Sequence, residues 1–207
     1  MQEFTTIIDI TLPLDAQTPL YPNNPAFRVV THPGATSTHS EVSFGTHTGT
    51  HVDTPLHVFA ERDGLESYEL SQFVGKAIVI DVTQSQEKIT RADIAHVALK
   101  AGDRVLFKTG NSERGFAEFY PDYVYLDGDC AEYLAEVGVG LVGIDALSIK
   151  QRGSDDHRSH TVLLDKNIVI LEGVNLKAVE AGEYMLVCLP PRFSHIDGAP
   201  VRALLMR

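Results

Sequence analysis

Four short apolar runs, separated by helical patterns, constrain the fold of this 207-residue chain more than any other feature. A continuous apolar run of strand length is typical of a β-strand that is covered on both faces, as in a parallel sheet. The runs lie at residues 77–82, 104–108, 141–145 and 168–172, and a further strand is predicted at 185–189. Helical patterns at 90–100 and 129–137 alternate with these strands and favour parallel βαβ units. The sequence therefore predicts an α/β protein with a mixed sheet and flanking helices.

The first third of the chain is rich in strand patterns, which lie at residues 5–12, 26–31 and about 42–52 and are expected to pair antiparallel. No linker, repeat or low-complexity segment interrupts the sequence. Apolar residues make up 43% and charged residues 22% of the chain, as in ordinary globular proteins. We therefore expect residues 1–207 to form one domain.

Charge and cysteine content exclude several classes of protein. The formal net charge is −11 and no basic run is present, whereas nucleic-acid binding depends on neutralising phosphates. The two cysteines, Cys130 and Cys188, do not form a C-x-x-C motif, so neither a disulfide framework nor a thiolate zinc site is indicated. Both are expected to be buried small residues. A small-molecule partner is favoured over nucleic acid.

The N-terminus and the hydropathy pattern give an expectation for localisation. Residues 1–4 lack a basic segment followed by an apolar segment, as a secretory signal would have. No apolar run approaches the length that crosses a membrane. The sequence therefore predicts a cytoplasmic protein without a membrane partner.

One segment concentrates the residues that can carry chemistry. His47, His51, Asp53 and His57 all occupy odd positions, and side chains two residues apart lie on the same face of a strand. The many β-branched residues of the segment favour a strand, here predicted at about 42–52, over a helix. His57 lies beyond Pro55, where the strand pattern is lost, so it is not counted as a ligand. The two imidazoles of His47 and His51 and the carboxylate of Asp53 form a ligand set for a divalent metal ion.

A plainer interpretation remains open for this spacing. H-x-x-x-H occurs by chance, and a single histidine is more often a surface group or a hydrogen-bonded core residue than a metal ligand. The in-phase carboxylate of Asp53 and the position of Gly49 between the two histidines favour the metal site, because glycine allows a close approach of backbone or ligand.

The segment also resembles a known family signature. The residues His47-Thr48-Gly49-Thr50-His51-Val52-Asp53-Thr54-Pro55-Leu56-His57-Val58-Phe59 are similar to the H-x-G-T-H-x-D-x-P-x-H-(x)-F motif of the cyclase family of metal-dependent hydrolases. That family includes bacterial kynurenine formamidases, also called arylformamidases, and isatin hydrolases. Segments 9–14, 19–22, 142–148, 168–176 and 197–202 resemble further parts of the family, so the similarity covers nearly the whole chain. The resemblance implies a swivelling β/β/α-like fold and a homo-oligomer, either a dimer or a tetramer.

The resemblance favours a site for two metal ions, with a site for one ion, held by His47, His51 and Asp53, as the alternative. His47, His51 and Asp53 would hold one ion, and Asp53 would be shared with a second ion held by His160 and Glu172. Ligands without sulfur suit Zn²⁺, or alternatively Mn²⁺, and such ions lower the pKa of bound water toward about 7. From the residues alone, His160 could instead cap a helix and Glu172 could pair with a basic residue. His157 could also exchange roles with His160.

Three further residues receive roles from the resemblance or from their chemistry. His57 matches the family's proton-transfer residue, and an unshifted histidine titrates near pH ~6.5, which suits a general acid or base. Tyr21 lies nearest to the position of an early-loop tryptophan in the kynurenine formamidases and could stack on an arene. Phe59 could line the pocket or belong to the core.

These features together predict a metal-dependent hydrolase of a small amide, arylformamidase-like, with N-formylkynurenine as the type of substrate. A hydrolase of cyclic amides or lactones, similar to isatin hydrolase, is the alternative within enzymes. A metal-binding protein without turnover is the alternative from another class.

Overall fold

A nine-stranded mixed sheet forms the centre of the computed structural model, which describes residues 4–207. In chain order the strands are β1 (Ile7–Asp9), β2 (Arg28–Pro33), β3 (Thr38–Ser43), β4 (His51–Asp53), β5 (Val74–Asp81), β6 (Lys88–Ile89), β7 (Arg104–Lys108), β8 (Tyr125–Leu126), β9 (Leu141–Ile144), β10 (Val169–Glu172), β11 (Gly182–Val187), β12 (Gly198–Pro200) and β13 (Leu204–Met206). The helices are α1 (Leu70–Phe73), α2 (Arg91–Ile94), α3 (Gly110–Arg114), α4 (Gly128–Val137) and α5 (Arg158–Asp165), with 3-10 turns at Pro55–His57 and Leu65–Ser67.

The strand order of the large sheet is β1-β13-β11-β5-β7-β9-β10-β4-β12. Strands β5, β7, β9 and β10 are parallel to their neighbours within this group, which confirms the predicted parallel units. The other strands of the large sheet pair antiparallel, so this sheet is mixed as expected, whereas β6 and β8 form a separate parallel pair. Strands β12 and β13 were not predicted, and strand β11 ends at Val187 rather than at 189.

Both faces of the parallel strands are covered, as their continuous apolar sequences predicted. Val105 and Phe107 of β7 pack into the cluster that includes residues of α4 and α5, whereas Leu106 packs into the cluster on the other face. All three side chains are fully buried. Burying a side chain of this kind contributes about 1.5–3 kcal/mol, so the two clusters stabilise the sheet from both faces.

The helices predicted at 90–100 and 129–137 are present, and local contacts fix their ends. Thr90 and Asp93 form a reciprocal capping box at the start of α2, although that helix ends at Ile94 and not near residue 100. Helix α4 closes on Gly138, which adopts a left-handed conformation. Cys130 and Cys188 are free and buried, and burial raises the pKa of each thiol to about 12.

The predicted strand at about 42–52 is wrong. Strand β3 ends at Ser43 and β4 begins at His51, and a turn containing Gly49 lies between them. Gly49 has a φ of +64°, a conformation that a strand does not use and that glycine adopts readily. The histidines of this segment therefore cannot be aligned by a single extended strand.

Strands β2 and β3 form a separate antiparallel hairpin. Every residue of both strands is exposed, including Val29, Val30 and Val42. Within residues 4–207, no helix has the length and apolar character needed to cross a membrane. The expectation about a secretory signal rests partly on residues 1–3, which lie outside the described part of the chain.

Candidate metal centre and substrate pocket

The register of two strands brings three candidate ligands together. Strand β4 pairs with β10 so that His51 lies opposite Glu172. Asp53 is two residues further along β4 and therefore shares the face of His51. The side chains of His51, Asp53 and Glu172 are 1%, 0% and 3% exposed. Two buried carboxylates thus face each other beside an imidazole at the end of the parallel sheet.

Helix α5 adds His160 to this group. The helix follows β9 and precedes β10, and it carries His160 in its first turn. His160 Nε2 lies 3.4 Å from Asp53 Oδ2 and 3.3 Å from Glu172 Oε1. His157, which the sequence left as an alternative, is exposed and lies at the wall of the adjoining pocket. The structure therefore places His160, and not His157, against both carboxylates.

His47 reaches the same carboxylate from the turn before β4. Its Nδ1 donates to Asp53 Oδ1 at 2.8 Å and its Nε2 donates to Asp197 Oδ2 at 3.1 Å. Burial alone would lower the pKa of His47, but the charges of Asp53 and Asp197 outweigh it and raise the pKa to about 10. A Cβ at Gly198 would lie 2.7 Å from His47 Cε1, so only glycine allows this approach.

His51 is held in one tautomer by the neighbouring turn. Its Nδ1 donates to the Gly49 carbonyl at 3.0 Å, which leaves Nε2 without a proton. That nitrogen lies 3.5 Å from Asp53 Oδ1 and 3.3 Å from Glu172 Oε2. A lone pair is thus directed at two carboxylates, an arrangement that is repulsive unless a cation lies between them.

The donor set fits a divalent metal ion. His51 Nε2 and Asp53 Oδ2 are buried and have no hydrogen-bond partner among the described residues. An unpaired buried polar atom costs about 1–3 kcal/mol, so a bound cation would remove two such costs. Four ligands at about 2.1 Å from a tetrahedral ion lie about 3.4 Å from one another. His51 Nε2 lies 3.3–3.5 Å from one oxygen of Asp53 and one of Glu172, and His160 Nε2 lies 3.3–3.4 Å from the other oxygen of each, so each imidazole has ligand-like spacing to both carboxylates.

Glu172 is not neutralised by a lysine or arginine in the described part of the chain, where the side chains beside its carboxylate are the imidazoles of His51 and His160. Its Oε1 also accepts a hydrogen bond from the Ile149 amide at 2.6 Å. Burial alone would raise the pKa of Glu172 and of Asp53, but the adjacent imidazoles keep both pKa values below their usual range. Both carboxyls are therefore charged at neutral pH and attract a cation.

The donor atoms group differently from the expected ligand sets. One set of close donors contains His51, Asp53 and Glu172, and a second contains His47, Asp53 and His57, with the atoms of each set within 4.8 Å of one another. Asp53 belongs to both sets. His57 is the exposed member of the second set and lies in the 3-10 turn Pro55–His57. The centroid of its ring is 4.2 Å from the centroid of the His47 ring.

The environment of His57 favours its neutral form. Partial burial lowers the pKa of His57, and the positive charges of His47 and His160 lower it further, against the attraction of Asp53. The imidazole is therefore unprotonated at pH 7. A neutral imidazole at the edge of a pocket can accept a proton from water or substrate.

A cavity of about 320 Å³ opens onto this centre. His47, His57, His160 and Glu172 line one part of it, and Tyr21 lines another. The cavity has the size of a small-molecule site. The Tyr21 ring is fixed edge-on against Phe119, with ring centroids 5.1 Å apart.

Phe59 does not line this cavity. The ring is half-buried against the core, with the Arg62 guanidinium 5.7 Å above it, whereas the neighbouring Val58 reaches the cavity. The structure therefore gives no support to a direct substrate contact by Phe59.

Asp197, Ser148 and Lys150 also belong to the site, although no sequence pattern indicated a role for them. Asp197 accepts a hydrogen bond from His47, and Ser148 and Lys150 line the cavity. Asp197 lies in segment 197–202 and Ser148 in segment 142–148, both of which resemble the family. Their position in these segments is the sequence signal that could have identified them as site residues. Lys150 follows two residues later in a loop whose direction could not be inferred.

The chain belongs to the family described as "Putative cyclase", whose model matches residues 8–151. The α/β fold expected from the resemblance is confirmed by solved structures of similar proteins. A predicted metal-dependent hydrolase from Bacillus stearothermophilus superposes with a TM-score of 0.87 and 35% identity, covering 97% of this chain and 98% of that one. Isatin hydrolase A from Labrenzia aggregata shares the fold, with a TM-score of 0.86 and 24% identity over 97% and 93% of the two chains.

Two relatives are similar over almost their full length. The kynurenine formamidase of Salinibacter ruber is 36% identical over 204 residues, which is 96% of each chain. A kynurenine formamidase of Bacillus cereus is 32% identical over 203 residues, again 96% of each chain.

Proposed function

We propose that this protein is a metal-dependent amide hydrolase that removes the formyl group from N-formyl arylamines of the N-formylkynurenine type. The observation that carries the proposal is a buried cluster of imidazoles and carboxylates, with unpaired donor atoms, at the wall of a small-molecule cavity. The full-length similarity to two kynurenine formamidases supports the choice of substrate.

The proposed cofactor is a pair of Zn²⁺ ions, with Mn²⁺ as the alternative. His47, His51, Asp53, His160 and Glu172 would hold the ions, with Asp53 shared between them. Support for sharing comes from the position of Asp53 in both sets of close donors. When bound, such ions supply Lewis acidity toward the formyl carbonyl and a water molecule of lowered pKa. His47 would release a proton on binding, as imidazole ligands do.

The remaining chemistry is carried by residues of the pocket. A ring nitrogen of neutral His57 accepts a proton from the attacking water as the new C–O bond forms. The same nitrogen then donates that proton to the amide nitrogen as the C–N bond breaks, which gives the free arylamine and formic acid; the acid then loses its proton to solvent at neutral pH and becomes formate. Tyr21 would stack on the arene, and Val58 and Leu147 would provide apolar contact around the reacting bond. Phe59 would stabilise the pocket wall from the core.

Two other functions are distinguishable from this one. The fold shared with isatin hydrolase A favours a cyclic amide or lactone as the second candidate substrate. A metal-binding protein without turnover would keep the metal cluster but would not need His57.

A direct substrate comparison tests the proposal. Purified protein supplied with Zn²⁺ or Mn²⁺ is expected to hydrolyse N-formylkynurenine and formanilide faster than isatin or simple lactones, because the two relatives similar over 96% of the chain are kynurenine formamidases, whereas isatin hydrolase A is only 24% identical. Formate release and absorbance of the amine product would be measured. Faster ring opening of isatin would establish the second candidate, and no turnover of any of these compounds would contradict the proposal.

We also propose that the protein is a homo-oligomer, a dimer or a tetramer, in the cytoplasm. The β2–β3 hairpin supports association, because a two-stranded ribbon exposed on both faces has little stability in water by itself. Replacing Val29 and Val42 by serine is expected to shift the mass measured by light scattering toward that of the monomer. A wild-type protein that is monomeric would contradict the proposal.

A further inference from the structure

One lysine side chain, that of Lys150, lines the cavity beside the candidate metal centre. Lys150 is the only lysine or arginine at the cavity wall in the described part of the chain, and it shares that wall with Tyr21 and His57. The chain as a whole carries a net charge of −11, which disfavours the approach of anions. The positive charge of Lys150 makes the electrostatic potential in the cavity more favourable for an anion. Lys150 has no role in the hydrolysis described above.

The ammonium group of Lys150 is anchored but not neutralised. Its Nζ donates to the backbone carbonyls of Ser154, at 2.5 Å, and Gln151, at 3.3 Å. The ion pairs that lysines make within residues 4–207 do not include Lys150. An ammonium group has three N–H donors, so one remains for a ligand. Two carbonyl contacts fix the position of the charge without removing it.

The surroundings of Lys150 are suited to a carboxylate. Ser148 lines the same part of the cavity and accepts a hydrogen bond from the Lys150 backbone amide at 3.3 Å. His157 also lines the cavity and adds a second nitrogen donor. Asp53 and Glu172 contact the imidazoles of His47 and His160, which offset their negative charge toward an anion in the cavity.

We propose that Lys150 determines specificity by binding a carboxylate on the part of the substrate that does not react. The substrate class would then be anionic arylformamides, in which the formyl group lies at the metal centre and the carboxylate lies at Lys150. This inference rests on the proposed function, because it assumes that the formyl group is the reacting end. Binding energy at such a remote group improves orientation of the reacting bond.

A structural role is the competing explanation. The contacts of Lys150 with Gln151 and Ser154 could serve only to hold the loop before α5, which carries His160. Loss of that role would impair all substrates equally. Loss of an anion contact would impair only substrates that carry the anion.

The test compares N-formylkynurenine with its methyl ester, which has the same arene and formyl group but no carboxylate. Lys150→Gln is expected to lower kcat/KM for the acid by roughly 10- to 100-fold, the range for a hydrogen bond to a charged group, chiefly through KM. The ester should change by less than about threefold. Lys150→Arg should recover most of the activity on the acid, because it keeps the charge.

Lys100→Gln is the matched control, since Lys100 is exposed and does not line the cavity. It should leave both substrates unaffected. An equal loss on acid and ester in Lys150→Gln, or no loss on either, would overturn the inference while leaving the proposed function intact. Wild-type protein that hydrolyses neither compound would overturn the proposed function and the inference together.

Discussion

Replacement of His57 by alanine is expected to lower kcat for formamide hydrolysis by roughly 10²- to 10⁴-fold, the usual contribution of a general acid or base. The reason is the position of this imidazole, which is exposed at the cavity while the other histidines of the cluster face buried carboxylates. Metal content should stay near that of the wild type. Kinetics on N-formylkynurenine and metal analysis of the same preparation would measure both quantities.

The pH profile gives an independent check on His57. Its pKa is lowered from the ordinary value of 6.5 by burial and by neighbouring positive charge, so the base form is present at pH 7 and is lost only as the pH falls below 6.5. The limb of kcat/KM on the acid side should therefore lie below pH 6.5 and should change in His57→Ala.

The control for this variant is His96→Ala, which replaces an exposed histidine outside the cavity. It should leave kcat unchanged. The donor atoms of His57, His47 and Asp53 lie within 4.8 Å of one another, so a ligand role for His57 is the explicit competitor. Loss of about one metal ion per chain in His57→Ala would establish that role and contradict the proton-transfer assignment.

Asp53→Asn is expected to weaken both metal sites, and Glu172→Gln is expected to reduce the bound metal from two ions per chain toward one. Asp53 belongs to both sets of close donors, whereas Glu172 belongs to one. Each change removes a negative charge that a cation would neutralise. The loss of metal affinity should exceed roughly 10- to 100-fold, which is the usual effect of replacing a residue that only hydrogen-bonds a metal ligand.

Asp145→Asn is a suitable control for these variants. Asp145 is also a fully buried carboxylate, but its oxygens accept hydrogen bonds from Thr109 and from the Ser112 amide. This variant tests whether the loss of any buried carboxylate disturbs the fold and thereby reduces metal binding. If Glu172→Gln and Asp145→Asn bind the same amount of metal as the wild type, Glu172 is not a ligand.

Local periodicity predicted the elements whose signal lies within a few residues. The apolar run at 104–108 is the buried strand β7, and alternation along β4 places His51 and Asp53 on one face. The capping pair of Thr90 and Asp93 likewise marks the start of α2. In each case the physical cause is contained in the segment itself.

The rest of the site depends on contacts between distant segments. His47 and His57 reach the cluster through a glycine turn and a 3-10 turn, which a period of two cannot describe. The opposition of Glu172 and His51 is fixed by the register of β10 on β4. Asp197 meets His47 across 150 residues of sequence. Glu172 and the role of His57 were therefore identified through the family resemblance, and Asp197 was missed.

A metal ion held by this cluster is expected to be required for amide hydrolysis. The most direct measurement is turnover of N-formylkynurenine by the wild-type protein as metal is removed with a chelator and then added back. We predict that activity falls to background in the metal-free protein and returns with Zn²⁺ or Mn²⁺, reaching its maximum at two ions per chain. Full turnover in excess chelator by protein shown to be metal-free would contradict the account.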